Sequence, residues 1–317
     1  MGFEEYKAHD NLVALLRSYG FKVTPHAYGI DTSFTAEVGT GGRVVTFNAE
    51  YDALAGIGHG CGHNLIATSS LAAFLGVAAA LKETGIPGRV RLLGTPAEEG
   101  GGGKVFLVKA GAFRDVNACL MAHPGPPNGT STGAAYNTTV AMGRFNVSYF
   151  GKPAHAAGSP YQGINALDGL SLAYTAVSML RQQTKPTDRI HFIIHEGGEA
   201  ANIIPDLATG ESQVRSTTIA EMRVLKERVK KCHVGAAIAT DCKMMTEEYV
   251  HALCITRTEH MRLTFPSSIM EFADLRPNKT ICSTYADEML ALGSPVDCDF
   301  NSVGGGSTDQ GWYSSFV

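Results

Sequence analysis

The sequence predicts an α/β protein into which a second, α+β unit is inserted. Three apolar segments, 43–49, 89–96 and 117–122, predict buried strands, and each is followed by a loop that carries polar side chains. In the middle of the chain, the patterns follow in the order strand, helix, strand, strand, helix, strand. Since that order is typical of the ferredoxin-like sandwich, we expect a separate core there.

Composition narrows the possible functions. A chain of 317 residues with 44% hydrophobic content can bury a sizeable core and form about two domains. The formal net charge of -4 and the lack of a basic patch argue against a nucleic-acid partner. We expect no apolar run long enough to span a membrane. Seven scattered cysteines and no signal peptide predict a reducing, cytoplasmic compartment.

The first forty residues predict scaffold. Residues 3–19 have helical spacing, and Gly20 ends the helix. Residues 21–24 and 33–38 alternate as strands do, and the glycines of 39–42 predict a turn.

A glycine-rich loop, 50–64, follows the first apolar strand and precedes an alanine-rich helix at 65–82. Glycines on either side of Cys61 let the backbone aim Cys61 and His63 at one point. A thiolate and an imidazole together suit zinc or a similar transition metal. A lone Cys-Gly-His is more often an unligated pair, and we expect His59 to be a bystander.

Two adjacent carboxylates, Glu98 and Glu99, follow the second apolar strand. They are costly to bring together unless a cation neutralises them, and then one can ligate a metal while the other takes a proton from water. A solvated acidic loop is the alternative. A phosphate loop before Lys104 is disfavoured, because Val105 stands where Ser or Thr would hold magnesium.

The third apolar strand ends at His123. A single histidine is usually structural, but parallel strands bring their carboxyl ends to one edge of a sheet. We therefore expect one metal site from six side chains: Asp52, Cys61, His63, Glu98, Glu99 and His123.

These motifs, with Glu50-Tyr51-Asp52-Ala53-Leu54, Cys61-Gly62-His63-Asn64, Pro96-Ala97-Glu98-Glu99-Gly100 and His123 in order, resemble the amidohydrolase branch of the M20 metallopeptidase family. The resemblance implies a mixed-sheet catalytic domain at 1–138 and 273–317, interrupted by a ferredoxin-like lid and dimerisation domain at 139–272. It also implies metal-dependent hydrolysis of amide bonds in dipeptides or N-acyl amino acids, by a homodimer joined through the lid. One or two divalent ions are implied; the thiolate favours zinc, while manganese and cobalt stay open.

The resemblance also implies residue roles. Metal ligands would be Cys61, His63, Glu99 and His123. Glu98 would be the general base, and Asp52 would orient a ligand. Glu50 stands where more distant family members have a metal-binding histidine, so its role stays open.

The inserted unit contributes three further candidates by resemblance. Its predicted elements are 143–150, 163–183, 189–195, 213–216, 218–232 and 235–246. His155, in Gly-Lys-Pro-Ala-His-Ala, would stabilise the oxyanion and reach the partner subunit's active site. By position alone it is an exposed turn histidine. Asn202 and Arg215 would contact substrate, and Arg215 is as compatible with a surface salt bridge as with a substrate carboxylate.

The end of the chain departs from the family pattern. Residues 250–270 are irregular, 285–292 predict a short helix, and 304–311 resemble the family's Gly-Ser-Thr-Asp loop. The family normally continues with a strand, one last metal-binding histidine and a closing helix, so we expect a clipped chain. That expectation supports a second hypothesis, a catalytically impaired member that acts only as a dimerising protein. A nucleotide-binding α/β protein is a third, and it lacks a phosphate loop.

Overall fold

The computed structural model describes residues 2–125, 131–247, 255–257, 261–263, 271–300 and 304–314. It divides into two compact units. The first unit comprises Met1–Asn137, Pro277–Ser302 and Trp312–Val317, and the second comprises Thr138–Arg276 and Val303–Gly311.

The strands described are, in chain order, β1 (Val23–Pro25), β2 (Phe34–Thr40), β3 (Val44–Ala49), β4 (Gly88–Gly94), β5 (Ala118–Leu120), β6 (Ala141–Phe150), β7 (Arg189–Glu196), β8 (Leu207–Ser216), β9 (Lys243–Glu247), β10 (Ile255–Arg257) and β11 (Met261–Leu263). The α-helices described are α1 (Tyr6–Ser18), α2 (His63–Thr84), α3 (Gly103–Lys109), α4 (Ala166–Leu180), α5 (Ile219–Ala239), α6 (Lys279–Ala291) and α7 (Gly311–Ser314).

The first unit is built on a five-stranded mixed sheet in the order β1-β2-β4-β3-β5. Strands β3, β4 and β5 are parallel, whereas β1 and β2 are antiparallel to their neighbours. The parallel part confirms the three apolar strands expected from the sequence. Because β3, β4 and β5 run the same way, the loops that follow them leave from one edge of the sheet.

Helix α2 begins directly after the glycine-rich loop, because Gly62 occupies the left-handed conformation at its N-cap. Its inner side chains pack on the sheet with α1 in one core that includes Leu16, Phe34, Phe74 and Leu92. A second core lies around Leu107 of α3. Two packed layers of this kind are the usual basis of an α/β domain.

Helix α2 corrects the expectation about membrane-length segments. By length and composition it is apolar enough to cross a membrane, with a mean hydropathy of 1.7 over its best window, and only 33% of that window is buried. Its many alanines, which are apolar but small, account for this value. Ile66, Ala67, Leu71 and Phe74 of the same helix are buried against the sheet.

The second unit contains a four-stranded antiparallel sheet in the order β7-β8-β6-β9. With α4 and α5 packed on one face, this is the ferredoxin-like arrangement expected from the sequence. The core beneath the helices includes Val147, Tyr149, Leu170 and Phe192. Strands β10 and β11 form a short antiparallel pair, and the rest of 250–270 lies outside the described residues.

Two predicted boundaries in the second unit were wrong. Gly235 was expected to open a strand, but α5 continues through it to Ala239 because Ala236 and Ala237 are buried on the helix's inner side. Strand β8 begins at Leu207, earlier than expected, because its first residues include Gly210 and lack a clear polar and apolar alternation.

His233 gives this unit a dependence on pH. The ring is fully buried, with Tyr149 Oη 3.2 Å from Nδ1 and Ser212 Oγ 3.1 Å from Nε2. Burial lowers the pKa of His233 to about 4, below its usual 6.5. The unfolded chain therefore binds more protons between these values, and stability that is complete above about pH 6.5 is lost as pH falls towards 4.

We expect this histidine alone to cost about 3 kcal/mol of unfolding free energy between pH 7 and pH 4. Urea unfolding at several pH values measures it, and His233→Gln should flatten the curve over that range. His191→Gln, at an exposed site on β7, serves as the matched control. A pH curve that is the same in wild type and His233→Gln would contradict the assignment.

Candidate metal centre and active site

Three parallel strands place polar side chains at one edge of the first unit's sheet. Glu50 and Asp52 follow β3, the Glu98-Glu99 pair follows β4, and His123 follows β5. The loop after β3 also carries Cys61 and His63. The structure therefore brings together all six side chains expected at this edge, while His59 is exposed and belongs to none of the described groups with metal-ligand spacing.

His63 lies at the centre of the site and is completely buried. Its Nδ1 lies 2.8 Å from Oδ1 of Asp52, and the other carboxylate oxygen of Asp52 accepts the backbone N–H of Glu99 at 2.8 Å. With Nδ1–H donating to Asp52, the lone pair of Nε2 is directed into the site. Such carboxylate–histidine pairs are the usual support of a metal-ligating imidazole.

Cys61 and His123 form a second pair beside His63. Cys61 Sγ lies 3.4 Å from His123 Nε2, and His123 Nδ1 lies 2.6 Å from the Pro124 carbonyl oxygen. The His63 and His123 rings are perpendicular, with centroids 5.7 Å apart. The sulfur and two ring nitrogens lie within 4.8 Å of one another, as do ligand atoms of His63, Glu98 and Glu99.

Three buried polar atoms at this point have no hydrogen-bond partner: His63 Nε2, Glu50 Oε2 and Glu99 Oε1. From His63 Nε2, the distances are 3.4 Å to Glu50 Oε2 and 3.8 Å to Glu99 Oε1. Atoms bound to one tetrahedral ion at about 2.1 Å lie roughly 3.4 Å apart. Since lone pairs facing each other are unfavourable without a cation between them, this donor set fits a divalent metal ion.

The charges of the site act on each titratable group. Burial raises the pKa of Asp52, but hydrogen bonds from His63 and the Glu99 N–H outweigh it and hold that pKa below its usual value. Burial lowers the pKa of His63, and the Asp52 hydrogen bond and neighbouring carboxylates raise it above normal. Burial and then Glu99 raise the pKa of Cys61 to about 12, so a cation is needed to make this thiol a thiolate ligand.

A strained turn aims the two glutamates. Ala97 has φ of 63° and is fully buried, in the left-handed region that non-glycine residues seldom occupy. Gly103 closes the turn, since a Cβ there would lie 1.8 Å from the Pro96 carbonyl oxygen. The buried Glu5 fastens this turn from the other end of the sequence, because its Oε1 accepts the Ala97 N–H at 3.1 Å.

Lys104 is the main feature that sequence reasoning missed. Its side chain is fully buried, and Nζ lies 2.5 Å from Glu50 Oε1. The lysine after the glycines therefore faces a carboxylate and not a phosphate, which removes the remaining support for a nucleotide site. A lysine one position after a glycine run, near a loop rich in carboxylates, was the signal available in the sequence.

Lys104→Met is expected to destabilise the chain by about 3–5 kcal/mol, because it leaves the Glu50 carboxylate buried without its cation. Replacing both partners, as Glu50→Gln with Lys104→Met, should recover most of that loss. Urea unfolding measures both. Lys185→Met, in the exposed pair with Glu221, is the matched control and should change stability much less. Equal losses in the single and double variants would contradict the pairing.

The second unit holds the three remaining candidates. His155 is exposed, and its Nδ1 accepts the N–H groups of Ala157 at 3.2 Å and Gly158 at 3.0 Å. The neutral ring therefore carries its proton on Nε2, as a hydrogen-bond donor. Asn202 lies on the neighbouring loop, since its carbonyl accepts the Ala156 N–H.

Arg215 lies away from His155 and Asn202, at the opposite end of β8. Leu207 and Arg215 are eight residues apart on that strand, or roughly 26 Å at the rise of an extended chain. Arg215 Nη1 donates to Ser307 Oγ at 3.0 Å, within the Gly-Ser-Thr-Asp loop. Within the second unit, then, the structure joins His155 with Asn202 and places Arg215 elsewhere.

The sequence matches known proteins over its whole length. It is 39% identical to the Xaa-Arg dipeptidase of Mus musculus and 36% identical to that of Homo sapiens, in each case over 100% of this chain and 71% of the other protein. It is 35% identical to one of the two kinds of polypeptide in the p-aminobenzoyl-glutamate hydrolase of Escherichia coli (strain K12), over 75% of this chain and 53% of that protein.

Solved structures share the fold. An aminobenzoyl-glutamate utilization protein from Klebsiella pneumoniae superposes with a TM-score of 0.72 at 18% identity, over 98% of this chain and 82% of that one. A dinuclear metal-binding peptidase of the M20 family from Bacillus subtilis gives 0.67 at 18% identity, over 100% and 82%.

The family profile agrees with the site and the fold. The pattern described as Peptidase family M20/M25/M40 matches residues 44–302, which include the glycine-rich loop, the glutamate pair and the whole inserted sheet. With the divalent metal donor set at the strand ends, this match makes the chain a hydrolytic enzyme that belongs to the Peptidase family M20/M25/M40.

Proposed function

We propose that this chain uses zinc to hydrolyse the amide bond of dipeptides or N-acyl amino acids, with Glu98 as its general base. One observation carries the proposal: three unpartnered buried atoms, from His63, Glu50 and Glu99, converge beside Glu98 at the edge of the sheet. A carboxylate next to a cation site is the arrangement that activates water for attack on an amide.

Each residue has a defined part in the reaction. When bound, a divalent metal lowers the pKa of water and polarises the scissile carbonyl. Glu98 takes a proton from the attacking water and returns it to the leaving amine nitrogen. Asp52 holds His63 in the tautomer with a free Nε2. His155 donates from Nε2 to the oxyanion of the tetrahedral intermediate.

The ligand assignment follows from donor type. Cys61, His63, Glu99 and His123 supply one sulfur, two nitrogens and one oxygen, a set that favours zinc over harder cations because of the thiolate. Glu50 is held by Lys104 on one oxygen, so only its other oxygen faces the site. One or two ions fit the proposal.

The substrate class is supported by the relatives' names. An Xaa-Arg dipeptidase, a p-aminobenzoyl-glutamate hydrolase and an N-acetyl-L-cysteine deacetylase each act on an amide of an amino acid. These substrates differ in side chain but share an acyl-amide bond next to a carboxylate. We propose the same chemical class for this chain, without a side-chain preference.

The second unit supports a homodimer. A dipeptide spans roughly 7 Å, so it cannot contact Arg215 and the His155–Asn202 pair of one copy when about 26 Å of strand separates them. We therefore propose that residues 139–272 form a lid and dimerisation domain, while 1–138 and 273–317 form the catalytic domain. In this arrangement His155 and Asn202 act on the partner's substrate, and Arg215 acts on its own.

A cytoplasmic location is also part of the proposal. The six cysteines in the described part of the chain are all free, as expected in a reducing compartment. A thiol at the metal site also needs protection from oxidation to remain a ligand.

Hydrolysis of Ala-Arg, p-aminobenzoyl-glutamate and N-acetyl-L-cysteine, followed by amine release, tests the proposal. We expect at least one to be cleaved by the zinc-loaded chain, with activity lost after dialysis against a chelator and restored by zinc. No cleavage of any of the three with zinc, manganese or cobalt would contradict it. So would cleavage that the chelator leaves unchanged.

A further inference from the structure

Two half-buried arginines lie together on the sheet of the second unit, on the face opposite α4 and α5. Arg144 on β6 is paired with Gln213 on β8, and Arg215 follows two residues along the same strand, opposite Met142. Residues placed diagonally in this way lie close enough for long side chains to meet. Each guanidinium therefore lies next to a like charge.

Neither guanidinium is neutralised within the part of the chain that the structure describes. Arg144 Nε donates to the amide oxygen of Gln213 at 2.6 Å, and Arg215 Nη1 donates to the hydroxyl of Ser307 at 3.0 Å. Both partners are uncharged. Glu211, on the same face, is not within ion-pair distance of either arginine in the described residues.

A third arginine adds to the positive charge. Arg189 on β7 is directly opposite Arg215. Its nearest acid, Asp188, already accepts the hydroxyl of Ser216 at 2.7 Å and the backbone N–H of Lys185 at 3.0 Å. This arrangement is costly for the free protein, since burial and Arg144 both lower the pKa of Arg215.

We propose that Arg144 and Arg215, with the hydroxyl of Ser307, form a binding site for the free carboxylate of the substrate. Two adjacent guanidinium forks with unused donors match a carboxylate, which accepts two parallel hydrogen bonds from each such fork. Anion binding removes the repulsion between the arginines, and this gain favours substrates that carry a carboxylate. The inference rests on the proposed function for its substrate class and adds Arg144 as the residue that selects it.

Paired ligands that differ only at the carboxylate test the site. Ala-Arg and its C-terminal carboxamide are titrated by calorimetry into zinc-loaded chains that carry Glu98→Gln, so that neither is consumed. We expect the carboxylate form to bind at least about tenfold more tightly than the carboxamide. Adding Arg144→Gln or Arg215→Gln should weaken Ala-Arg binding by about 10- to 100-fold and change carboxamide binding by less than about twofold.

Controls separate this site from general effects of charge or folding. Arg17→Gln, at an exposed position near the end of α1, removes the same charge elsewhere and should leave both affinities unchanged. Arg144→Lys, which keeps the charge but loses the fork, should lie between wild type and Arg144→Gln. Thermal unfolding of each variant shows whether it is folded.

The outcomes distinguish the two proposals. Equal binding of Ala-Arg and its carboxamide, equal losses of both in the arginine variants, or no binding of either Ala-Arg or p-aminobenzoyl-glutamate would overturn the carboxylate site. Failure of the proposed function appears instead as absence of hydrolysis by the unsubstituted chain. The calorimetric arms remain readable in that case, because they do not depend on turnover.

Discussion

Glu98→Gln is expected to lower kcat by about 10²- to 10⁴-fold while leaving KM within a few fold. The amide has nearly the same size as the carboxylate, but it cannot take a proton from water at neutral pH. Ground-state contacts with the substrate are retained, so the loss falls on the step in which the proton moves. Steady-state hydrolysis of the best substrate from the panel measures both constants.

The same variant should keep its metal, because the four proposed ligands are untouched. Glu83→Gln, at an exposed position at the end of α2, makes the same chemical change on the surface and should leave kcat unaltered. Loss of metal in Glu98→Gln would move Glu98 from general base to ligand. A kcat within about threefold of wild type would contradict the assignment to general base.

Cys61→Ser is expected to weaken zinc binding by at least about 100-fold, while manganese binding changes by less than about tenfold. The reason is the softness of the donor: a thiolate bonds strongly to zinc, whereas a serine hydroxyl is a weak ligand for both ions. Competition with a chromophoric chelator measures the two affinities. The ratio of zinc to manganese affinity is the informative quantity, because a general loss of structure would lower both.

Cys232→Ser, at a part-buried thiol in the second unit, provides the matched control and should leave both affinities unchanged. Parallel losses for zinc and manganese in Cys61→Ser would show that Cys61 supports the loop without binding the ion. Unchanged zinc affinity would exclude it as a ligand altogether.

The site's location was predictable because it depends on a rule about strand direction. Three apolar segments that each end in a polar side chain, at Asp52, Glu98 and His123, bring those side chains to one edge whenever the strands are parallel. The structure has that parallel arrangement. The roles of the individual residues go beyond that rule and remain predictions.

The supporting contacts were not predictable, since they join distant parts of the sequence. Glu5 and Ala97 are bonded although 92 positions separate them, and Lys104 meets Glu50 across 54. Neither contact leaves a local pattern. Lys104 was instead weighed as part of a phosphate loop, because a glycine run before a lysine is the only local feature there.

Local patterns also failed where packing overrode them. Gly235 favours a helix end by intrinsic propensity, but its exposed position meets no neighbour and the buried alanines beside it hold α5 together. The first half of β8 is buried on both sides by residues as small as Ala208 and Gly210, so it shows no alternation. In both cases the tertiary context decided the outcome.

Metal content per chain tests the central claim most directly. The purified chain is incubated with zinc, desalted and measured by elemental analysis, alongside His123→Gln, which alters an exposed side chain of the site. The account predicts about one zinc ion or more per wild-type chain and a clear reduction in the variant. Less than about a tenth of an ion in the wild-type chain, after zinc and after manganese, would contradict it.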